Sequence, residues 1–410
     1  MNPKIKRLFV SIFLVLVIGG LIREIVTSMP SSSVTIYSGP MGGTYYQMAL
    51  EYRNELSAMG YDVTIKPTDS TAKLLESVNN SKEPNTIGFM IGQTDSVQFP
   101  EIRSLGFVDV QPLFLFYSSA FGELISLATL KGRAIAMPPK DSITTQTALK
   151  LLSLYGINSE NTNIEFLPFR EAVAAVRNGD VYALFLMLGA ENPVVEELVK
   201  DNNLNVFSYR DITGILNKLK DMTRVVIPAT SYDVLLQIPV RQIDLLAGRV
   251  EIIANQNLDK PAAYALLNTF KYIHQAATLT NPVDTYPSYV GLLAKPHEVT
   301  STFDKIGTPW LYRTFPSGLA VLIDKYLIIG LAIFLLSEIY RSLHYLYEFL
   351  ALSAETFALS ILKRLRLRQQ SGKRIGMISR FASRWAEGVV NRKSIREKAA
   401  EMLGDQTQKP

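Results

Sequence analysis

The chain has 410 residues, of which 19% are charged, with a formal net charge of +5, three histidines and no cysteine. That length exceeds what one hydrophobic core usually fills, so two or three structural units are expected. Disulfides and thiol chemistry are excluded, and three scattered histidines, His274, His297 and His344, leave no basis for a histidine-based metal cluster.

Apolar residues concentrate in two places. The first, Leu8 to Ile22, has no charge and lies between Lys4, Lys6 and Arg7 on one side and Arg23 and Glu24 on the other. It is shorter than the ~20 residues needed to cross a hydrocarbon core of about 30 Å. A cleaved signal peptide is therefore the rival reading, but Ile25-Val26-Thr27-Ser28-Met29-Pro30 offers no cleavage site of the A-x-A kind. The expectation is an uncleaved signal-anchor helix within residues 1–29.

After a polar linker from Met29 to Ser33, Val34 to Tyr37 reads as a strand, Gly39 to Gly43 as a turn and Thr44 onward as a helix. Tyr45, Met48, Ala49, Tyr52 and Leu56 stand at helical spacing along it. Strand and helix then alternate: Tyr61 to Lys66 is a strand, Asp69-Ser70 caps a helix through about Val78, and Asn85 to Ile91 is the next strand. Such alternation predicts an α/β sheet with helical crossovers. A second unit repeats it, with strands at Ala134 to Met137, Ile164 to Leu167 and Val181 to Leu188 and helices at Ile143 to Tyr155 and Glu171 to Arg177.

Between these units the apolar run Val110 to Phe121 reads as a strand leaving one lobe for the other, with a return near Thr223 to Pro228. A strand around Gly248 to Ala254 and a helix from Lys260 to Gln275 follow. The implied organisation is lobe one over 34–112, lobe two over 113–223 and a return to lobe one over 224–310. Two lobes joined by crossing strands enclose a cleft.

The second apolar stretch, Leu319 to Tyr340, is long enough to span a membrane, with Asp324 and Lys325 near its outer end. A buried core helix with an ion pair at its edge is the alternative. From Arg341 to the end there are 14 Lys or Arg against 6 Asp or Glu, a net of +8. Residues 1–7 carry +3, so within a chain of +5 the stretch 8–340 is −6. Positive flanks mark the cytoplasmic side. Both termini are thus expected inside the cytoplasmic (inner) membrane, with the acidic middle periplasmic or extracellular. The basic tail over 341–410 reads as a topology signal lying on membrane lipid, with no nucleic-acid partner implied.

Helix N-termini present unpaired N–H groups, so a glycine-rich turn before a helix can receive an anion or carboxylate. Gly42, Gly43, Thr44, Tyr45 and Tyr46 have that form, although such a turn is often only a turn, and GxxxxGK[ST] is absent there. Three other polar turns point to the same cleft, through Ser70, through Gln93 and through Ser142, Thr144 and Thr145. Each alone is an N-cap or loop cluster; their convergence is the functional signal. Arg170 is the cationic candidate for a carboxylate, against a solvated arginine paired with Glu165 or Glu171. No GxSxG and no carboxylate pair at acid-base spacing is present, so neither an enzyme nor a metal or cofactor is expected. His274 reads as a helix residue without chemistry.

Several segments in order resemble the TAXI-type solute-binding subunits of tripartite (TRAP) transporters, in a branch with a C-terminal membrane span. They are SGPMGGTYYQMA from Ser38, VQPLFLFYSSAF from Val110, LKGRAIA from Leu130, AVAAVRNGDVYA from Ala172, SYDVLLQIPVRQIDLLA from Ser231 and GTPWLYRTFPSGLAVLIDKYLIIGLAIF from Gly307. The resemblance implies a type II periplasmic-binding-protein fold, α/β, with two lobes around a cleft and N- and C-terminal transmembrane helices. It also implies closure on a small organic solute, commonly a carboxylate, for delivery to a TRAP-type membrane permease. The second turn departs from that pattern: Met137-Pro138-Pro139-Lys140-Asp141-Ser142-Ile143-Thr144 stands where the family has Gly-x-x-Gly-Ser-Gly-Thr. The cytoplasmic tail leaves a ligand sensor or assembly subunit as the alternative role.

Overall fold

In the computed structural model, which describes residues 19–20, 23–24, 29–92, 95–210, 212–370 and 376–404, β-branched and aromatic runs form one mixed sheet and the amphipathic stretches cover its faces. In chain order these are β1 (Ser33–Ser38), α1 (Thr44–Ala58), β2 (Asp62–Pro67), α2 (Thr71–Asn79), β3 (Thr86–Ile91) and β4 (Ile102–Ser118). Then come β5 (Ile135–Met137), α3 (Ile143–Ser153), β6 (Ile164–Phe166), α4 (Phe169–Asn178), β7 (Ala183–Met187), α5 (Pro193–Val199) and β8 (Leu204–Val206). The set continues with α6 (Ile212–Leu216), β9 (Met222–Ile227), β10 (Ile243–Asn255), α7 (Lys260–His274), α8 (Thr300–Ile306) and α9 (Trp310–Thr314). Two long helices end it, α10 (Ser317–Gln370) and α11 (Met377–Gly404). The expected anchor over 8–22 lies, apart from Gly19 and Gly20, outside the described residues, as does Gln93.

The strand order is β2-β1-β3-β10-β4-β7-β5-β6, with β8 beside β4 and β9 beside β10. Parallel pairs β2-β1-β3 and β7-β5-β6 form the two ends, as the strand-helix alternation requires. The antiparallel strands β4 and β10 join them. The early part of β4 and the late part of β10 pair with each other, and β10 then pairs with β3, while Leu113 to Tyr117 of β4 pair with β7. β4 begins eight residues before the expected Val110, because Ile102 to Asp109 continue the strand through two register shifts against β10. The return expected at Thr223 to Pro228 is an edge strand, β9. β10 makes the return, since only it is long enough to reach β9 with Ile243 to Gly248 and β3 with Val250 to Ala254.

The core runs through the whole sheet, with Tyr52, Phe89, Phe107, Phe114, Phe116, Phe185 and Phe270 fully buried. Each such side chain contributes about 1.5–3 kcal/mol by leaving water. The Tyr52 hydroxyl of α1 and His274 Nε2 of α7 share a hydrogen bond of 2.6 Å, fixing α1 to the late helix. Burial lowers the His274 pKa to about 4, so the imidazole is neutral at neutral pH.

One compact unit ends at Leu322 and a second comprises Ile323–Pro410. Helix α10 is the helix among the described residues that is long and apolar enough to cross a membrane. Its Leu327, Ile328, Ile333 and Leu336 are each at least 60% exposed, a density of apolar surface that water does not favour. It continues without a break through the basic segment to Gln370, and within the second unit Phe357 of α10 meets Trp385 of α11 edge to face at 6.2 Å.

Candidate functional site

Three turns at strand ends meet over one cavity of about 750 Å³, open mouth included. Of the residues expected from the sequence, Gly43, Thr44, Tyr45, Ser70, Ser142 and Thr144 line it. Their convergence follows from the parallel pairs, which place the starts of α1, α2 and α3 at the same edge of the sheet.

The first turn is built on glycine. Gly42 has φ +91°, a conformation that strains any residue with a side chain, and a Cβ there would lie 3.6 Å from the Phe169 ring. Gly43 occupies the N-cap of α1 without a side-chain cap; its amide donates to the Pro40 carbonyl at 2.9 Å and its carbonyl accepts from the Tyr46 amide at 3.1 Å. The Thr44 hydroxyl is already engaged: it accepts from the Gly189 amide at 2.8 Å and from Asn192 Nδ2 at 3.3 Å. Asn192 Nδ2 also reaches the Gly42 carbonyl at 3.2 Å. Thr44 therefore ties α1 to the loop after β7, across the two ends of the sheet. Tyr45 stacks on Phe89 at 4.9 Å, and its buried hydroxyl has no partner. Burial, with the Asp109 carboxylate adding to it, pushes this phenol far above its ordinary value, so it stays a proton donor.

The second and third turns are capped by their own side chains. Ser70 accepts from the Lys73 amide and Ser142 from the Thr145 amide, each at 3.2 Å. Thr145 does not face the cavity; it is fully buried and donates to the Pro138 carbonyl at 2.7 Å, locking the turn from behind. The Thr71 amide donates to the Asp141 carbonyl at 3.0 Å, so the α2 and α3 turns touch across the mouth.

Besides Thr145, three expected residues lie off the cavity. Gly42 and Tyr46 are absent from its lining, and Arg170 is exposed at an adjoining opening with Met41, Thr68, Asp69 and Glu171. No Lys, Arg or His lines the cavity among the described residues, so the expected carboxylate meets no counter-charge there. Nor do the described residues contain a group of three or more His, Cys, Asp or Glu able to hold a metal.

The sequence reading missed Gln111. It sits on β4 opposite Gly248, only 2% exposed, lines the cavity, and its Nε2 has no hydrogen-bond partner. The signal was available, since Gln111 is the one strongly polar side chain within the apolar run from Val110 to Phe116. Behind α1 a second recess holds Asp109, Glu191 and Asn281. Asn281 Nδ2 donates to Asp109 at 2.8 Å, and burial, with the Glu191 carboxylate adding to it, raises the Asp109 pKa to about 7 against that stabilisation.

Residues 93–278, less than half of the chain, match the NMT1-like family. No curated protein matches the chain. Among solved structures it is similar to the alkanesulfonate-binding protein of Xanthomonas axonopodis pv. citri, at 15% identity and TM-score 0.39 over 59% of this chain and 73% of that one. It is also similar to an amino acid ABC transporter substrate-binding protein of Streptococcus pneumoniae bound to L-arginine, at 12% identity and TM-score 0.38 over 60% and 91%. A third is the periplasmic aliphatic sulphonate binding protein of Escherichia coli, at 14% identity and TM-score 0.36 over 59% and 72%.

Proposed function

We propose that this chain is a membrane-tethered, extracytoplasmic receptor that closes two lobes on a small organic solute and passes it to a TRAP-type permease. The observation that carries this reading is the cavity itself, where the α1, α2 and α3 turns converge and the Thr71 amide bonds Asp141 across the mouth. That contact is one backbone hydrogen bond, worth about 0.5–1.5 kcal/mol net, so a solute need prefer the closed arrangement by only a few kcal/mol to control it. The match of residues 93–278 to the NMT1-like family and the TAXI-like segments support the same reading. Helix α10 is the tether in this reading, and the basic ends support a cytoplasmic position for both termini. Tethering keeps the receptor at high local concentration beside its permease.

The absence of cysteine makes the test direct. Spin labels on Ala72→Cys and Lys140→Cys, both exposed and flanking the closing bond, report the mouth by pulsed dipolar spectroscopy. A broad panel of carboxylates, amino acids, amides and sugars should contain a compound that narrows the distance distribution toward its short end. A distribution unmoved by every compound would sink the receptor reading.

A second reading, a sensor or assembly subunit, is favoured by one observation: α10 runs unbroken past its apolar stretch and contacts α11 through Phe357 and Trp385. Deleting residues 363–410 separates the two. Intact solute uptake with a lost assembly or signalling output supports the second reading, and lost uptake supports neither a passive tail nor a pure sensor.

A further inference from the structure

The segment that leads into α10 has an inner side fastened to the folded body and an outer side left bare. On the inner side, Asn268 Nδ2 of α7 donates to Thr308 Oγ1 at 2.8 Å, the Tyr312 ring meets Tyr264 of α7 at 5.0 Å, and Leu311 is buried. Helix α8 packs against α7 and β4. On the outer side, Ile306 at the end of α8 is 68% exposed and Trp310 at the start of α9 is 62% exposed. The Trp310 ring stands edge to face on Phe315 at 5.8 Å. A pinned segment thus holds large apolar side chains in water, where each forgoes most of the ~1.5–3 kcal/mol that full burial contributes.

Three observations say what covers this face. First, it is continuous with the helix apolar enough to cross a membrane, since only Phe315 and Pro316 separate α9 from α10. Second, a Cβ on Gly318 of α10 would lie 3.8 Å from Met29 Cε, so the chain enters and leaves the folded body at one place. Third, from Lys305 to Leu319 the chain carries Lys305 and Arg313, both exposed, and no acid. Tryptophan settles at the headgroup level of a bilayer, and basic side chains beside it are drawn to anionic lipid. A soluble partner would account for the bare apolar side chains but not for their place at the root of α10.

We propose that Ile306, Trp310 and Phe315, with Lys305 and Arg313 beside them, form a foot that seats the folded body in the headgroup layer of the bilayer that α10 crosses. The proposal rests on the membrane-tethered reading and on nothing about the solute. Such a seat fixes the height and tilt of the body above the lipid, which a tether alone leaves free.

The chain has two tryptophans, Trp310 and Trp385, and no cysteine, so the foot can be read directly. Full-length Trp385→Phe is reconstituted in vesicles of phosphatidylcholine with a minority of phosphatidylglycerol. Part of the lipid is brominated either near the carbonyl end or near the methyl end of its acyl chains. Trp310 emission should lie to the blue of its position in water and be quenched more strongly by bromine near the carbonyl end. Combining Ile306→Asp with Arg313→Glu should cut that quenching at least about twofold. Both positions are exposed, so this variant should melt with its parent, which thermal unfolding checks. A fluorophore on Ile333→Cys, within the apolar stretch of α10, reports the tether separately. Trp310 emission as in water and unquenched by either lipid, with the Ile333→Cys label quenched, overturns the foot and leaves the tether standing; a face covered by protein would give that result. Undiminished quenching in the folded double variant also overturns it. If the Ile333→Cys label is unquenched as well, tether and foot fall together.

Discussion

The turns that open α1 and α3 border one cavity but are made in different ways. The first is glycine: Gly42 stands at φ +91° and the N-cap Gly43 has no side chain to cap the helix, and its position is set from a distance by Thr44 to Gly189 and by Tyr52 to His274. The second is proline and hydroxyl: Ser142 caps the helix and Thr145 clamps the Pro138 carbonyl from behind. One turn lacks a side-chain cap and depends on tertiary anchors; the other is held by its own hydroxyls. The loss of glycines that marks the second turn in the sequence is thus matched by a gain of local hydrogen bonds.

The strongest break of this comparison is Gly42→Val. A β-branched residue at φ +91° against the Phe169 ring should cost about 3 kcal/mol. The melting temperature should fall by several degrees, with the spin-label response lost. A neutral outcome would mean the first turn can relocate and is not pinned as described.

The anchors differ in pH sensitivity. The folded pKa of His274 is about 4, against an ordinary value of about 6.5, so between those values the unfolded chain binds the extra proton. Its contribution is therefore present above about pH 6.5 and is lost as pH falls toward 4, on the order of 2 kcal/mol after discounting for partial exposure. Acid titration followed by hydrogen exchange should loosen α1 across that window while the α3 turn, held by neutral hydroxyls, stays protected. The slope should flatten in His274→Gln. Simultaneous loosening of both turns would erase the distinction.

Thr145→Val tests the self-sufficient turn. It removes the donor to the buried Pro138 carbonyl and should lower stability by about 1.5 kcal/mol in chemical denaturation, with α1 protection unchanged. The smallest effect is expected from Arg170→Ala. The side chain is exposed and outside the cavity, so stability should move by at most about 0.5 kcal/mol and the spin-label response to solute should stay within error. A marked loss of that response would restore Arg170 as a ligand contact and the carboxylate with it.

Much of this molecule was legible in the chain. Period-two and helical spacing placed β1 through β3 and α1 through α4 within a few residues, because those patterns reflect which face each residue turns to a core. Serine caps at Ser70 and Ser142 were readable because an N-cap is a contact three residues long. Harder to read were the long strands. Gly106 and the register shifts disguised the first half of β4, and β9 resembled a crossing strand although β10 performs that role. The engagement of the Thr44 and Thr145 hydroxyls and the burial of Gln111 were not legible for a related reason, since a hydroxyl or amide on a strand or helix start carries no local mark of what distant segment will meet it.

The sequence by itself determined the alternating α/β pattern, the glycine and capped turns, and the division of charge between an acidic middle and basic ends, all of which follow from neighbours a few residues apart. Only the tertiary structure decided which polar groups are spent and which are left over. Gly189 and Asn192 come to Thr44, and Pro138 to Thr145, through pairing between distant strands, while nothing comes to Gln111 Nε2 or the Tyr45 hydroxyl. Which hydrogen bonds are made is a property of three-dimensional proximity, which the order of residues along the chain does not carry.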